Sequence, residues 1–270
     1  MRNDHKNSIK TWACLNNLNV FIDSKKILSN INIKLNIGEN ILILGPNGSG
    51  KSTFLKLLNR SVYPIETKNS SMKLFGKKNI NIWHLREKVG FLLKEMEQRV
   101  SKGIGLKDVI SSGFSGTFNS KNSKLLSIKE KNKIEKLLNE FDLTNIINHE
   151  FQSLSDGQKR RALIARALVY EPHVLVLDEP FCNLDIKSNY ILTKNLNALI
   201  DKSVSIIYVT HSLESILPKT NRVILLKEGE IINDGSPNEI LKSKILSDLF
   251  EIPIDVIKQN NLWREKTVID

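Results

Sequence analysis

Apolar and polar residues alternate along the first part of the chain: Trp12, Leu15, Leu18 and Val20, then Ile31, Ile33, Leu35 and Ile37 at every second position, then the run Ile41-Leu42-Ile43-Leu44. A period of two belongs to strands with one buried and one wet face, as in an antiparallel edge sheet. Later strands differ. Val174-Leu175-Val176-Leu177 and the stretch 204–209 are near-continuous apolar runs, which marks central strands covered by helices on both faces. The predicted order is an antiparallel sheet followed by a parallel core.

Residues 95–160 turn helical and polar, which reads as a helical insert. Ser127 and Glu130 have the spacing of a capping box, and Ile134, Leu137, Leu138 and Phe141 then recur on one helical face. Gly103-Ile104-Gly105 and Gly113-Phe114-Ser115-Gly116 read as loop around a short helix. Further on, 222–226 and 230–232 flank Lys227-Glu228-Gly229 as a hairpin, and Ser236-Pro237 opens a helix with proline in its first turn. From Ile252 to Asp270 no chemistry is legible.

At 270 residues the chain holds enough apolar side chains for a large core. The pattern predicts one α/β domain over 1–270, with the insert and a short C-terminal extension over 240–270. The balance of 40 Lys+Arg against 29 Asp+Glu, a net +11, would suit nucleic acid or an anionic membrane face. Only nine of those basic residues are Arg, and the lysines are scattered among Asn and Ile, so a chain-wide bias explains them better than a built patch. No specific nucleic-acid partner is expected. Cys14 and Cys182 lack disulfide or zinc-like spacing, and a reducing cytoplasm fits them. The N-terminus from Met1 to Lys10 is polar and basic, and no run of about 18 apolar residues occurs. The chain is not expected to cross a membrane by itself.

Chemistry enters at Gly45-Pro46-Asn47-Gly48-Ser49-Gly50-Lys51-Ser52-Thr53, between a strand-like apolar run and Phe54-Leu55-Lys56-Leu57-Leu58. Glycines in such a turn let backbone N–H groups close around an anion, since no Cβ blocks unusual φ values or the approach of phosphate oxygens. The following helix adds its N-terminal partial charge, Lys51 can reach the β- and γ-phosphates, and Ser52 can place its hydroxyl on Mg²⁺. Asp178 and Glu179 follow the apolar strand 174–177, at the sheet edge where ligands sit in open α/β folds. Asp178 suits a hydrated Mg²⁺ opposite Ser52, and Glu179 can polarise the water that attacks phosphorus. Ser155, Asp156, Gly157 and Gln158 precede an amphipathic helix and form a second phosphate-binding element. One nucleotide needs one cradle, so a second predicts that two protomers grip ATP between them.

In combination these residues resemble the nucleotide-binding domain of the ATP-binding-cassette (ABC) family over about residues 13–240. Gly45 to Ser52 matches the Walker A loop, Leu154 to Gln158 the family signature, with Asp156 where glycine is commoner, and Val174 to Asp178 the Walker B strand. Asn183-Leu184-Asp185 resembles the D-loop, and His211 the switch histidine. The resemblance implies a P-loop fold with a mostly parallel core sheet, an antiparallel β subdomain and an inserted helical subdomain. It implies Glu179 as general base, His211 on the γ-phosphate and Asp185 communicating across a dimer. Phe21 or Ile22 falls where the family stacks an aromatic on adenine, and Phe21 has the flat ring.

One position departs from the pattern. Lys94, after Val89-Gly90-Phe91-Leu92-Leu93, stands where the family usually has glutamine. A glutamine carbonyl can ligate Mg²⁺ and touch the attacking water, whereas an ammonium only donates. Gln98 could substitute only in a rearranged loop. Turnover is therefore expected to be slow or less Mg²⁺-coupled than is typical of the family. An Mg²⁺-titrated ATPase assay of Lys94→Gln beside the parent tests this, and equal rates with equal Mg²⁺ dependence discard it.

By resemblance, the chain is an ATPase subunit of a membrane transporter, working as a homodimer or a heterodimer of cassettes at the cytoplasmic face of the cell membrane. Separate transmembrane permease subunits and a solute-binding protein are the implied partners. The order of insert and short tail resembles a bacterial importer of metal, metal chelate or another small solute. The competing class is a soluble cassette ATPase acting on ribosomes, nucleic acid or a protein complex. Such proteins usually carry two cassettes or a long coiled coil between the Walker motifs, and this sequence has neither.

Overall fold

The computed structural model describes residues 10–118, 126–260 and 262–267. Most of the polar N-terminus, part of the helical insert and the last residues of the tail lie outside the described residues. The chain opens with β1 (Thr11–Ile22) and β2 (Lys25–Asn36), then runs through β3 (Ile41–Leu44), α1 (Lys51–Leu58), β4 (Ser71–Leu74), α2 (Ile82–Lys88) and β5 (Val89–Leu92). Helices α3 (Leu106–Ser115), α4 (Ile128–Glu140) and α5 (Asp156–Ala167) lead to β6 (Val174–Asp178), α6 (Ile186–Asp201) and β7 (Ser205–Thr210). The hairpin β8 (Arg222–Lys227) and β9 (Glu230–Gly235), helices α7 (Pro237–Ile240) and α8 (Ser243–Phe250), and the pair β10 (Ile254–Gln259) and β11 (Leu262–Thr267) complete it.

The core sheet has the order β5-β6-β7-β3-β8-β9, parallel except for β9, which returns antiparallel beside β8. A second sheet, β2-β1-β4, is antiparallel. The alternation of the early strands therefore ends at Asn36, and Ile41–Leu44 joins the parallel sheet, buried at every position. Successive residues of the core strands face opposite ways. Leu42, Leu175, Ile206 and Val223 pack with the helices, while Ile43, Val176, Ile207 and Ile224 pack with the antiparallel sheet and α1. Two covered faces are the physical cause of the near-continuous apolar runs.

Three helix starts match their sequence signals. Ser127 and Glu130 form a capping box on α4, Ser155 and Gln158 another on α5, and Ser236 with Glu239 a third on α7, whose first residue is Pro237. The glycine-rich stretch 113–116 does not behave as predicted. Gly113, Phe114 and Ser115 complete the last turn of α3, and the helix stops at Gly116 with φ 70°. A Cβ on Gly113 would lie 2.4 Å from the Arg166 carbonyl oxygen, so this glycine serves the close approach of α3 to α5 rather than a turn.

Arg161 fastens α5 to the end of α4. Its buried guanidinium donates to the Phe141 carbonyl at 2.6 Å, and burial pushes its pKa down against the pull of Asp142. Arg161→Met keeps the volume and leaves that carbonyl unpaired, so we expect a loss of about 1–3 kcal/mol in stability, read from the urea midpoint. A midpoint equal to the parent's would show that the contact is replaceable.

Candidate active site

The phosphate loop sits where β3 ends, at the C-terminal edge of the parallel sheet. Gly45 is there for space: a Cβ would lie 2.0 Å from the Leu226 carbonyl oxygen. Gly50 caps α1 at φ 98°, and a Cβ on it would meet Leu28 Cδ2 at 2.7 Å. Lys51 is buried, and its Nζ donates to the carbonyls of Gly45 and Pro46, both at 2.7 Å. Burial pushes its pKa down, opposed by Glu179 and Asp178. Asn47 is exposed, Thr53 lies in the first turn of α1, and the buried Ser49 hydroxyl has no partner within the protein.

β6 delivers the carboxylates. Asp178 is fully buried; Ser52 Oγ donates to its Oδ1 at 3.2 Å, and its Oδ2 has no hydrogen-bond partner within the protein. Burial pushes the Asp178 pKa up, moderated by the Ser52 hydrogen bond and reinforced by the Glu179 charge. An idle buried carboxylate oxygen beside a hydroxyl fits a hydrated Mg²⁺. Among the described residues no group of three or more His, Cys, Asp or Glu could hold a metal alone. The other ligands would come from water and phosphate, which suits a cation that keeps its waters.

Glu179 is held in the left-handed region at φ 48°, with its N–H donating to the Val209 carbonyl at 3.1 Å. Its side chain is 9 % exposed and meets two basic groups: Lys94 Nζ lies 2.9 Å from Oε2, and His211 Nδ1 lies 3.8 Å from Oε1. Burial pushes the Glu179 pKa up, but Lys94, His211 and Lys51 outweigh it and hold the carboxyl below the usual range. Gln98 is exposed in the 3₁₀ turn Lys94–Arg99.

The remaining candidates fall around this centre. Phe21 is 39 % exposed and pairs with Lys26 across β1 and β2, one residue before Ile27, whose carbonyl lies against Gly50. The hairpin thus brings that ring to the rim of the loop. Ser155 and Asp156 are exposed at the N-terminus of α5, whereas Gly157 is buried; a Cβ on it would lie 2.4 Å from Ser188 Oγ. Asp185 caps α6, accepting from the Ser188 N–H at 2.7 Å and hydroxyl at 3.1 Å, and these bonds hold its carboxyl below the usual range. Ser188, which joins Gly157 to Asp185, carries no sequence signal of its own. Nor does Glu265 on β11, which accepts from the Leu213 N–H at 2.9 Å and ties the tail to the turn after His211.

A phosphate loop, a buried aspartate on its serine and an adjacent glutamate make a nucleotide triphosphatase site. Residues 28–182, more than half of the chain, match the family model described as ABC transporter. The chain belongs to that family. It is an ATP-binding ABC ATPase. It is 32% identical over 249 residues to the ABC transporter ATP-binding protein YlmA of Bacillus subtilis, covering 90% of this chain and 92% of that one. It is 33% identical over 234 residues to the zinc uptake system ATP-binding protein ZurA of Listeria monocytogenes, covering 83% and 86%. Among solved structures, an inward-facing metal-chelate type ABC transporter matches with a TM-score of 0.75 at 25% identity, over 96% of this chain and 97% of that one. The dimeric cassette MJ0796 with ADP and Pi matches at TM-score 0.69 and 26% identity, over 83% and 98%.

Proposed function

We propose that this ATPase powers a bacterial importer of a metal, a metal chelate or a similar small solute through separate transmembrane subunits at the cytoplasmic face of the membrane. Two cassettes, identical or different, close on ATP. The observation that carries the proposal is the division of the phosphate-binding elements. The loop, Ser52, Asp178, Glu179 and His211 cluster at one sheet edge, while Ser155 and Asp156 lie exposed on a helix packed against α3, β5 and α6. A second cassette supplies the missing half of each site. The dimeric MJ0796 cassette, ZurA as a zinc uptake protein and the metal-chelate transporter agree with this reading.

In that closed pair Lys51 and the loop N–H groups hold the β- and γ-phosphates, and Ser52 and Asp178 would hold Mg²⁺, which would supply charge withdrawal from the phosphates. Glu179 takes a proton from water as the water oxygen bonds to the γ-phosphorus and the bond to ADP breaks. His211, beside Glu179, is the group that meets the γ-phosphate, and Phe21 stacks on the base. Asp185 couples the two sites through the Ser188 contact with Gly157.

No helix among the described residues is long and apolar enough to cross a membrane, and in this reading the spans belong to a separate chain. A cleft of about 330 Å³, lined by Arg60, Arg86, Arg99 and Arg166, offers that chain a basic docking place for an acidic segment. Burial pushes the Arg166 pKa down to about 10, and the Arg86 and Arg99 charges add to it. Detergent extraction should recover the chain with a membrane subunit bearing a solute path. A chain that stays with RNA and is released steeply by salt would replace the transport role with the nucleic-acid role.

A further inference from the structure

Lys94 occupies a place that the hydrolytic scheme above leaves unused. β5 and β6 are parallel with Leu92 opposite Leu177, so Lys94 and Glu179 each lie two residues beyond the paired ends and meet at the same sheet edge. The ammonium donates to Glu179 Oε2 at 2.9 Å. The two partners differ in freedom. Glu179 is 9 % exposed and its backbone is held to Val209, whereas the Lys94 side chain is 57 % exposed on a flexible stem. The carboxylate stays; the lysine can leave.

A glutamine in this position would accept from or ligate through its carbonyl, but an ammonium has three donors and no acceptor. It can only donate, and two anionic acceptors are available here: the Glu179 carboxylate and the γ-phosphate delivered to the adjoining loop. Lys51 Nζ is turned to the Gly45 and Pro46 carbonyls at 2.7 Å and does not compete for Glu179. We propose that Lys94 is a latch that occupies Glu179 in the nucleotide-free chain and transfers to the γ-phosphate when ATP binds. ADP lacks that phosphate and leaves the latch on Glu179. The lysine thus reads whether a triphosphate is present and releases the base only then, acting as a positioning residue that discriminates ATP from ADP. This rests on the ATPase site proposed above.

The test is calorimetric titration of the full chain with ATP and with ADP, in EDTA so that no cation contributes, for the parent and for Lys94→Met, Lys94→Gln and Lys94→Arg. We expect Lys94 to supply about tenfold of the parent's preference for ATP, the gain of one charge-assisted contact, beside what Lys51 and His211 supply. Met and Gln lose that tenfold while ADP affinity stays within about twofold of the parent, and Arg retains it. In steady state with Mg²⁺, Lys94→Met raises the KM for ATP by a similar factor. An ATP-to-ADP affinity ratio unchanged in Lys94→Met, or an equal loss for both nucleotides, overturns the latch. A parent that binds neither nucleotide overturns the ATPase site and the latch together, whereas nucleotide binding indifferent to Lys94 overturns the latch alone.

Discussion

Glu179→Gln binds ATP and fails to turn it over. The amide keeps the shape of the buried carboxylate but cannot take a proton from water, so kcat is expected to fall by about 10²- to 10⁴-fold, the usual contribution of a general base. Loop contacts made by Lys51 and Ser52 are untouched, and ATP affinity is retained. Lys94 can still donate to the amide oxygen, so the local geometry persists. In the proposed closed pair hydrolysis is what permits opening, so the ATP-loaded variant should accumulate as a dimer on gel filtration while the parent does not. Phosphate release within tenfold of the parent would remove Glu179 from its role; a variant that stays monomeric with ATP would count against the closed pair.

Gly45→Ala has the largest expected effect on the fold. The new methyl carbon would stand 2.0 Å from the Leu226 carbonyl oxygen, and that oxygen belongs to β8, fixed between β3 and β9. Neither side can yield without breaking the sheet edge that carries the loop. A loss of about 3 kcal/mol is expected, at the upper end of overpacking costs, together with nucleotide binding. Gly48→Ala is the control in the same loop. Its φ is 80° and nothing lies within 4 Å of the added Cβ, so only the left-handed conformation is penalised, at about 1 kcal/mol. Equal urea midpoints for the two variants would show that the Leu226 contact does not constrain the loop.

The two glycines show where the residues alone are informative and where they are not. That the loop needs glycines follows from the motif; that Gly48 answers a torsion and Gly45 a neighbouring strand does not, because Leu226 reaches Gly45 only through the pairing of β3 with β8. Gly113 fails in the same way. Read locally it breaks a helix, yet it lies inside α3 because the Arg166 carbonyl of α5 comes close. The tail reads as featureless, since β10 and β11 are half-exposed strands with mixed composition, and their purpose is visible only in the bond from Leu213 to Glu265.

By itself the sequence determined the phosphate loop, the strand that ends in Asp178 and Glu179, the capped helix starts and the layered α/β class. Each of these is written in contiguous residues, through side-chain periodicity, cap spacing or backbone freedom, and needs no distant partner. The tertiary structure decided what those groups face. Lys94 as a departure was legible, but its ion pair with Glu179 arises from the β5–β6 register, which no local pattern encodes. The same is true of the idle Asp178 oxygen and of the Ser188 contact beneath Gly157: burial and juxtaposition belong to the packed chain, where distant residues share one sheet edge.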